Sequence, residues 1–362
     1  MTASPMRVEV TKRIFMPALS GGAAASPDRD VPLAGGLYSC ACRLAKPPRL
    51  YHLMVPQRNQ RVQGAHHPLM AEIRAVPLED RAIVALGGDD ARRFLQGLIT
   101  NDVGDVAADR AVYAALLTPQ GKTLFDFFVF EYGGALHLDC AAEGAEALVK
   151  RLSMYRLRAD VTIEDVSAAL AVTALPHADA PAAVGLAAAE GAAGAFSGGV
   201  AYVDPRCAGM GVRLCLPRDT APEAFDSAPH DVYDARRIGL GIAEGRELAV
   251  GRALPLEAGL DDLHAIAFDK GCYVGQEVTA RMKSRGLVRN RMVPVRIDGV
   301  APSPDTAIRL GETKVGELRV VRGNAAIAMM KLDALKRAEA DHGTLTAGDA
   351  RLTPERPGWT RF

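Results

Sequence analysis

Three apolar segments separated by tight turns limit most strongly what this chain can form. A Pro-Gln-Gly-Lys turn and a Gly-Gly pair separate the segments, which occupy residues 113–117, 124–132 and 136–140. Turns this short between strand-like segments are typical of hairpins. The region therefore predicts a three-stranded antiparallel meander, preceded by a strand at residues 82–86 and by a helix that Asp89 or Asp90 caps.

The remaining elements do not repeat a regular strand–helix–strand unit. Periodicity predicts a helix at 143–155, strands at 161–163, 169–174 and 211–216, and a helix at 231–241. The apolar side of the last helix is formed by Val232, Ala235, Ile238 and Leu240. Strands and helices in this irregular order indicate an α+β protein.

After residue 291 the pattern changes to short strands at close spacing. Strand-like runs occupy residues 292–297, 307–310, 315–318 and 325–330. Short, evenly spaced strands are typical of a small barrel. The chain is therefore predicted to end in a C-terminal β-barrel.

Composition narrows the class of partner. The 362 residues include 43 basic and 43 acidic side chains, so bulk charge does not hold the chain on a nucleic acid. The sequence has no run of about 18 apolar residues, so we expect no membrane span. Its six cysteines are scattered, which indicates a reducing compartment rather than a disulfide-bonded scaffold.

Residues 1–69 are rich in Pro, Arg, Gly and Ala, show no sustained periodicity, and are expected to be disordered. Two interpretations are open. The segment is either an Arg-rich, acid-poor transit leader or the product of an upstream start codon in a GC-rich bacterial gene. The first predicts a protein of the mitochondrial matrix; the second, which we favour, predicts a cytoplasmic bacterial protein.

One segment suggests a specific chemistry, namely Lys-Gly-Cys-Tyr-Val-Gly-Gln-Glu at residues 270–277. Gly271 and Gly275 permit backbone conformations and close approaches that other residues do not. A thiol just before a helix N-terminus, with Lys270 beside it, is expected to favour its thiolate. Cys272 can then attack an electrophile, bind a soft metal or form a mixed disulfide. The alternative is a small, buried apolar residue in a glycine-rich turn.

This octet resembles the signature of the YgfZ family, which includes bacterial YgfZ proteins and their mitochondrial iron–sulfur assembly relatives. The resemblance covers the chain from about Val76 onward. Four further motifs match the family in order, at residues 94–103, 117–122, 154–161 and 204–206. The resemblance implies the fold of the glycine-cleavage T-protein, a ring of three domains with ferredoxin-like α+β lobes and a small C-terminal β-barrel.

The resemblance also implies how the chain is divided. Residues 70–165 and 230–290 are expected to form a folate-binding α+β domain with a central channel for tetrahydrofolate. Residues 166–229 are expected to form a second α+β lobe, and residues 291–362 the barrel.

The implied function is to assist assembly or repair of iron–sulfur clusters in client enzymes, including enzymes that modify tRNA. In the family the matching cysteine is the key functional residue, so this role passes to Cys272. Its setting would be shaped by Lys270, Tyr273, Gln276 and Glu277. One cysteine cannot hold a cluster, so a transient [2Fe–2S] centre would need a partner protein, a second protomer or glutathione.

Contacts with the folate are predicted for Asn101, Asp102, Asp126, Arg156, Arg158 and Arg237. Asp126 lies among apolar neighbours and can accept from a pterin amine, or else it lies on an exposed strand face. Arg156 and Arg158 can bind the glutamate tail or lie at a solvated helix end. Asn101 and Asp102 either cap a helix or face the ligand. Arg237 can point from its helix, which has an apolar side, into the channel.

An enzyme on the same fold, the aminomethyltransferase of glycine cleavage, is the alternative. T-proteins usually carry two adjacent aspartates where this chain has Phe125 and Asp126. They also carry an acid at the position of Gly239 and lack a cysteine at that of Cys272. These departures argue against one-carbon transfer. A tRNA-binding function would rest on the cations of residues 281–291, but these flank a domain junction, so direct nucleic-acid binding is not expected.

Overall fold

The computed structural model describes residues 72–248 and 251–361, so the leader predicted at residues 1–69 lies outside the described residues. No helix in these two ranges is long and apolar enough to cross a bilayer.

The helices are α1 (Ala91–Gln96), α2 (Ala145–Arg156), α3 (Ala180–Ala183), α4 (His230–Gly239), α5 (Gln276–Arg285) and α6 (Leu332–Ala340). The strands before α4 are β1 (Arg74–Pro77), β2 (Arg81–Gly87), β3 (Val112–Leu117), β4 (Thr123–Tyr132), β5 (Ala135–Ala141), β6 (Thr162–Asp165), β7 (Leu170–Leu175), β8 (Ala193–Phe196), β9 (Gly199–Val203), β10 (Val212–Pro217) and β11 (Asp226–Ser227). The strands after α5 are β12 (Asn290–Asp298), β13 (Ala307–Leu310), β14 (Thr313–Arg322), β15 (Ala325–Lys331), β16 (Leu345–Ala347) and β17 (Ala350–Pro354).

The first sheet has five strands in the order β3-β4-β5-β2-β6, all antiparallel to their neighbours. The predicted meander of β3, β4 and β5 is confirmed. Both faces of β4 are buried: Phe127 and Val129 pack with α1 and α2, whereas Phe128 and Phe130 enter a core shared with the second sheet. Burial on both faces explains why β4 is an almost continuous apolar run.

The second sheet has six strands in the order β11-β1-β7-β10-β9-β8. Residues 74–77 were predicted to belong to the first lobe, but Val76 pairs with Ala174 of β7, and Arg74 pairs with Asp226 of β11. This strand therefore belongs to the second sheet. Only a three-residue turn separates β1 from β2, and hydrophobic periodicity does not reveal which strand an isolated segment pairs with.

Helix α4 presents a different side to the interior than its apolar pattern predicts. Val232 and Ala235 are exposed, whereas Tyr233, Asp234 and Arg237 are buried beside Ile238. The buried side is polar because it faces buried ion pairs, where a charged side chain finds partners that compensate for lost hydration. Apolar periodicity cannot detect a helix of this kind.

The C-terminal barrel is closed, with the strand order β12-β15-β14-β13-β16-β17. Its core is aliphatic and includes Val295, Ile308 and Leu318, and α6 packs against it through Leu335. Helix α4 contacts β14 and β15, which brings the barrel against the first two sheets. The predicted α+β class and C-terminal barrel are confirmed.

Candidate functional site

Cys272 lies in an exposed loop just before α5. The helix begins at Gln276, and Gly275 precedes it with φ at 83°. Gln276 Oε1 accepts a 2.9 Å hydrogen bond from the amide of Tyr273, which closes the turn. Cys272 is an exposed free thiol, so the alternative of a buried apolar cysteine is excluded. The other cysteines that the structure describes are the buried Cys140 and Cys215 and the half-buried Cys207.

The two glycine-containing motifs at 117–122 and 270–277 pack directly against each other. A Cβ atom at Gly275 would lie 2.4 Å from the carbonyl oxygen of Thr118, and one at Gly121 would lie 2.9 Å from Cβ of Val278. Real Cβ atoms do not approach other atoms so closely, so both positions exclude a side chain. The amide of Val274 also donates to the carbonyl of Gly97, at 3.3 Å. The thiol loop is therefore held against the first sheet.

Lys270 anchors the other side of the loop. Its Nζ donates to the carbonyl oxygens of Ile99, at 2.8 Å, and Asn101, at 2.6 Å. Burial lowers the pKa of Lys270 to about 8, and the charge of Asp102 opposes this shift. The ammonium also lies 5.3 Å from the ring centroid of Tyr273, whose pKa burial raises to about 12. Lys270 therefore holds backbone carbonyls in place.

Glu277, Asn101 and Asp102, which were predicted near the thiol or the folate, each have partners within the chain. The carboxylate of Glu277 pairs with Arg281 at 2.6 Å on the exposed side of α5. The amide Nδ2 of Asn101 donates to the carbonyls of Tyr113 and His264, both at 2.7 Å. Oδ1 of Asp102 accepts from Gly104 N and caps a short 3₁₀ turn. Of the two alternatives for Asn101 and Asp102, the geometry favours a structural, backbone-binding role.

Asp126 is buried on the same side of β4 as Phe128, so the alternative of an exposed strand face is wrong. Its Oδ2 accepts from the hydroxyl of Tyr113 at 2.9 Å, and its Oδ1 accepts from the amide of Gly245 at 3.2 Å. Burial raises the pKa of Asp126, and the nearby charge of Arg81 opposes that shift. Asp126 is thus a desolvated acid at the junction of two chain segments.

Four buried arginines and their acidic partners surround this position; we call them the arginine cluster. The arginines are Arg81, Arg206, Arg213 and Arg237, and their partners are Asp139, Asp204, Asp234, Glu244 and Glu247. The first three guanidiniums lie 5.6, 4.8 and 4.3 Å from the ring centroid of Phe128, within cation–π distance. Burial opposes ionisation of Glu244, but the charges of Arg237 and Arg206 outweigh it and lower the pKa of Glu244. Glu244 therefore stays ionised inside the protein, whereas burial raises the pKa of its neighbour Glu247.

A polar cavity of about 570 Å³ opens on one side of the arginine cluster. Its walls come from the first sheet, α4 and the barrel, and they include Arg81, Arg237, Glu244, Glu247 and Arg322. This volume lies within the usual range for small-molecule sites. Arg237 is among the lining residues, and its contact with a folate stays a prediction.

Arg156 and Arg158 lie elsewhere, at the exposed C-terminal end of α2. Arg156 donates weakly to the carbonyl of Val161 at 3.4 Å. Within the described ranges neither guanidinium forms a bond with the arginine cluster. Both residues therefore match the alternative of a solvated helix end. The cavity is lined instead by Arg81 and Arg322, together with Arg237.

Sequence reasoning missed most of the arginine cluster, although a signal was present. Arg213 and Asp139 are each a single charge inside an apolar strand, as Asp126 is. The argument applied to Asp126, that such a charge is costly unless it is paired, applies equally to them. Glu244 and Glu247 follow α4 in a segment without periodicity and gave no such signal.

Hydrogen bonds and short covalent segments together link the thiol loop to the arginine cluster. Lys270 Nζ donates to the backbone carbonyl of Asn101. The side-chain amide of Asn101 in turn donates to the carbonyl of Tyr113. The hydroxyl of Tyr113 binds Asp126, which also accepts from the amide of Gly245, next to Glu244. Of the predicted site residues, Lys270, Asn101 and Asp126 therefore lie on this path. Arg237 lies beside it, because its guanidinium pairs with Glu244.

Comparison with known proteins agrees with this architecture. Residues 65–184 match the GCVT N-terminal domain, and residues 289–362 match the CAF17 C-terminal beta-barrel domain. The human mitochondrial iron-sulfur cluster assembly factor IBA57 is 36% identical over 283 residues, which cover 72% of this chain and 78% of the human protein. The chain belongs to the IBA57 family. The mouse IBA57 protein is 34% identical over 286 residues, with the same coverage of each chain.

The fold of this IBA57-family chain is that of the T-protein. The glycine cleavage system aminomethyltransferase T from Bartonella henselae superposes with a TM-score of 0.65 at 14% identity, over 81% of this chain and 88% of that one. At this identity the likeness concerns the fold. The predicted T-protein-like fold is confirmed, and the relatives carry the IBA57 name rather than the YgfZ name.

Proposed function

We propose that this chain is an assembly factor for iron–sulfur clusters of client enzymes, including those that modify tRNA, and that Cys272 contacts the cluster. The observation that carries the proposal is the exposed, free thiol of Cys272 in a rigidly anchored loop of an IBA57-family chain. The human and mouse relatives are both named as iron–sulfur cluster assembly factors.

A cluster on Cys272 requires ligands from outside the described chain. Within residues 72–248 and 251–361, no group of three or more His, Cys, Asp or Glu side chains is arranged to hold a metal ion. A [2Fe–2S] centre needs four protein or thiol ligands, so a partner protein, a second copy or glutathione supplies the others. The cluster is thus cargo that the chain shares transiently.

Tetrahydrofolate is proposed as the ligand of the 570 Å³ cavity. The residues present fit such a ligand in kind: Glu244 and Glu247 offer acceptors for a pterin amine, and Arg81, Arg237 and Arg322 offer donors for the carboxylates of its tail. Among the cavity groups, Arg237 Nε lacks a well-formed hydrogen bond, although Glu244 Oε1 lies 3.3 Å away. The folate would supply a reduced pterin close to this cluster of charges.

Cluster binding is tested by reconstitution with iron, sulfide and glutathione, followed by visible absorption. Wild type and Cys207→Ala should both develop a [2Fe–2S] spectrum, and Cys272→Ala should not, because Cys207 is half-buried whereas Cys272 is exposed. The same variants are then expressed in a strain lacking the gene. Full rescue of iron–sulfur enzyme activity by Cys272→Ala would overturn the proposal.

Folate binding is tested by calorimetric titration with tetrahydrofolate, beside an aminomethyl-transfer assay. Binding without transfer supports the accessory function, and turnover would identify a T-protein-type aminomethyltransferase instead. Arg237→Met should weaken binding, whereas Arg156→Ala, on the surface of α2, should leave it unchanged.

The compartment is tested separately, by N-terminal sequencing of the mature protein: loss of residues 1–69 on import places the chain in the mitochondrial matrix.

A further inference from the structure

The C-terminal end of α2 exposes two large apolar side chains. Met154 is 63% exposed, and Leu157, at 89%, is the most exposed large apolar residue of the described ranges. Leu157 also has φ at 46° and ψ at −106°, a region that a leucine backbone adopts at a cost. Folding of the isolated chain therefore does not explain a leucine here, because glycine would relieve the strain and no buried contact would be lost.

This turn and the thiol loop contact opposite ends of one short helix. At the N-terminal end of α1, Asp90 exchanges two hydrogen bonds with the backbone of Asp160, at 3.0 and 3.1 Å. At its C-terminal end, the carbonyl of Gly97 accepts from Val274, two residues after Cys272. A helix of six residues is about 9 Å long, so the points where α1 contacts the two segments lie about 9 Å apart.

The charge around the exposed apolar pair is basic. Arg156 and Arg158 are both exposed, and Arg158 forms no ion pair with any residue that the structure describes. Asp160 is the one acid of the turn, which leaves a net positive charge. Arginine and methionine are enriched at protein interfaces, whereas a single-stranded RNA site would present exposed aromatic rings for stacking.

We propose that Met154, Arg156, Leu157 and Arg158 form the docking surface for the protein that exchanges the cluster with Cys272. This inference rests on the function proposed above. A typical interface buries about 800 Å² on each partner, a patch roughly 30 Å across, so a partner whose cluster reaches Cys272 also covers the far end of α1. Charge complementarity requires that partner to present carboxylates around an apolar contact.

The test uses the full chain and purified, cluster-loaded acidic [2Fe–2S] carrier proteins of the source organism, titrated one at a time. Leu157→Gly should lower the affinity for the carrier at least about tenfold, as expected for a central interface residue. The melting temperature of the free variant should stay the same or rise, which a structural role for Leu157 would not allow. Val300→Gly is the matched control, because Val300 is 87% exposed in the barrel loop after β12, and it should bind within about twofold of wild type.

Cluster transfer separates this inference from the proposed function. Transfer that depends on Cys272 but proceeds unchanged in Leu157→Gly and Met154→Ala would overturn the docking surface and leave the proposed function standing. If no carrier transfers a cluster to the wild-type chain, the proposed function fails. Binding of tRNA that Arg156→Ala and Arg158→Ala abolish, or a dimer in sedimentation velocity that Leu157→Gly abolishes, would also overturn the assignment to a carrier.

Discussion

The hydroxyl of Tyr113 donates to Oδ2 of Asp126 across 2.9 Å, and both residues are buried. Asp126 accepts on its other oxygen from the amide of Gly245, so one carboxylate joins β3 and β4 to the segment that carries Glu244. Burial raises the pKa of both the tyrosine and the acid. The stability of the site therefore depends on these few bonds.

Replacing Tyr113 by Phe should lower the free energy of unfolding by about 1–3 kcal/mol, because Asp126 would lose a donor while remaining buried. Urea denaturation measures the change. Tyr132→Phe is the control, since its hydroxyl donates to the carbonyl of Gly198 at an exposed site where water can replace it. Equal losses in the two variants would contradict the importance assigned to Asp126.

Arg213→Met should destabilise the fold strongly, by about 3–5 kcal/mol, because it leaves a buried carboxylate with fewer partners. The guanidinium donates to Asp139 at 2.9 Å and to the hydroxyl of Tyr233 at 3.0 Å. Arg218→Met removes an exposed arginine that binds the carbonyl of Ser167, and it should cost far less. Thermal and urea unfolding of both variants provide the comparison.

Gly275→Ala should disrupt the thiol loop, and Gly271→Ala should be tolerated better. Both glycines have positive φ, at 83° and 47°, so each substitution costs about 1–2 kcal/mol in backbone strain. At Gly275 the new Cβ would also lie 2.4 Å from the Thr118 carbonyl oxygen, whereas the space at Gly271 is open. The reactivity of Cys272 toward a thiol reagent and the melting temperature should both change more in Gly275→Ala; similar changes in both variants would contradict the packing argument.

Lys270 should make stability rise with pH between about 8 and 10.5. Burial lowers the pKa of Lys270 to about 8 from an unfolded value of 10.5, so in this window the unfolded chain holds a proton that the folded chain has released. Stability increases wherever the unfolded state binds more protons, by on the order of 2 kcal/mol here. Urea denaturation from pH 7 to 10.5 should show the stability of wild type rising relative to that of Lys270→Met, because the other titrating groups are common to both; parallel curves would rule it out.

Glu277→Gln should leave both stability and cluster reconstitution nearly unchanged. Its pair with Arg281 is exposed to solvent, and exposed pairs of this kind contribute about 0.5 kcal/mol or less. The prediction is checked by the melting temperature and the [2Fe–2S] spectrum. If the [2Fe–2S] spectrum were lost while the melting temperature stayed the same, Glu277 would have the functional role that its motif suggests.

Local patterns were sufficient for much of the fold. The apolar runs and the turn residues between 113 and 140 specify β3, β4 and β5, and closely spaced strands after residue 291 specify the barrel. The motif at 270–277 led to the exposed thiol loop. These features depend on neighbouring residues, and a sequence records neighbours directly.

The site was predicted less completely because its partners come from distant segments. Asp139 binds Arg81, 58 positions away, and Arg213, 74 positions away. Arg156 and Arg158, chosen for the folate tail, lie on the surface, whereas Arg81 lines the cavity. Residue type alone does not reveal which arginine will meet which acid.

The sequence by itself determined the strand and helix types, the barrel and the position of Cys272 just before a helix, because hydrophobic period and turn chemistry act over a few residues. The tertiary structure decided that β1 joins the second sheet, that α4 buries its polar side, and that Cys272 is exposed. The burial of the polar side of α4 depends on the balance between lost hydration and ion pairing. That balance becomes favourable only when segments far apart in the chain bring opposite charges within hydrogen-bonding distance.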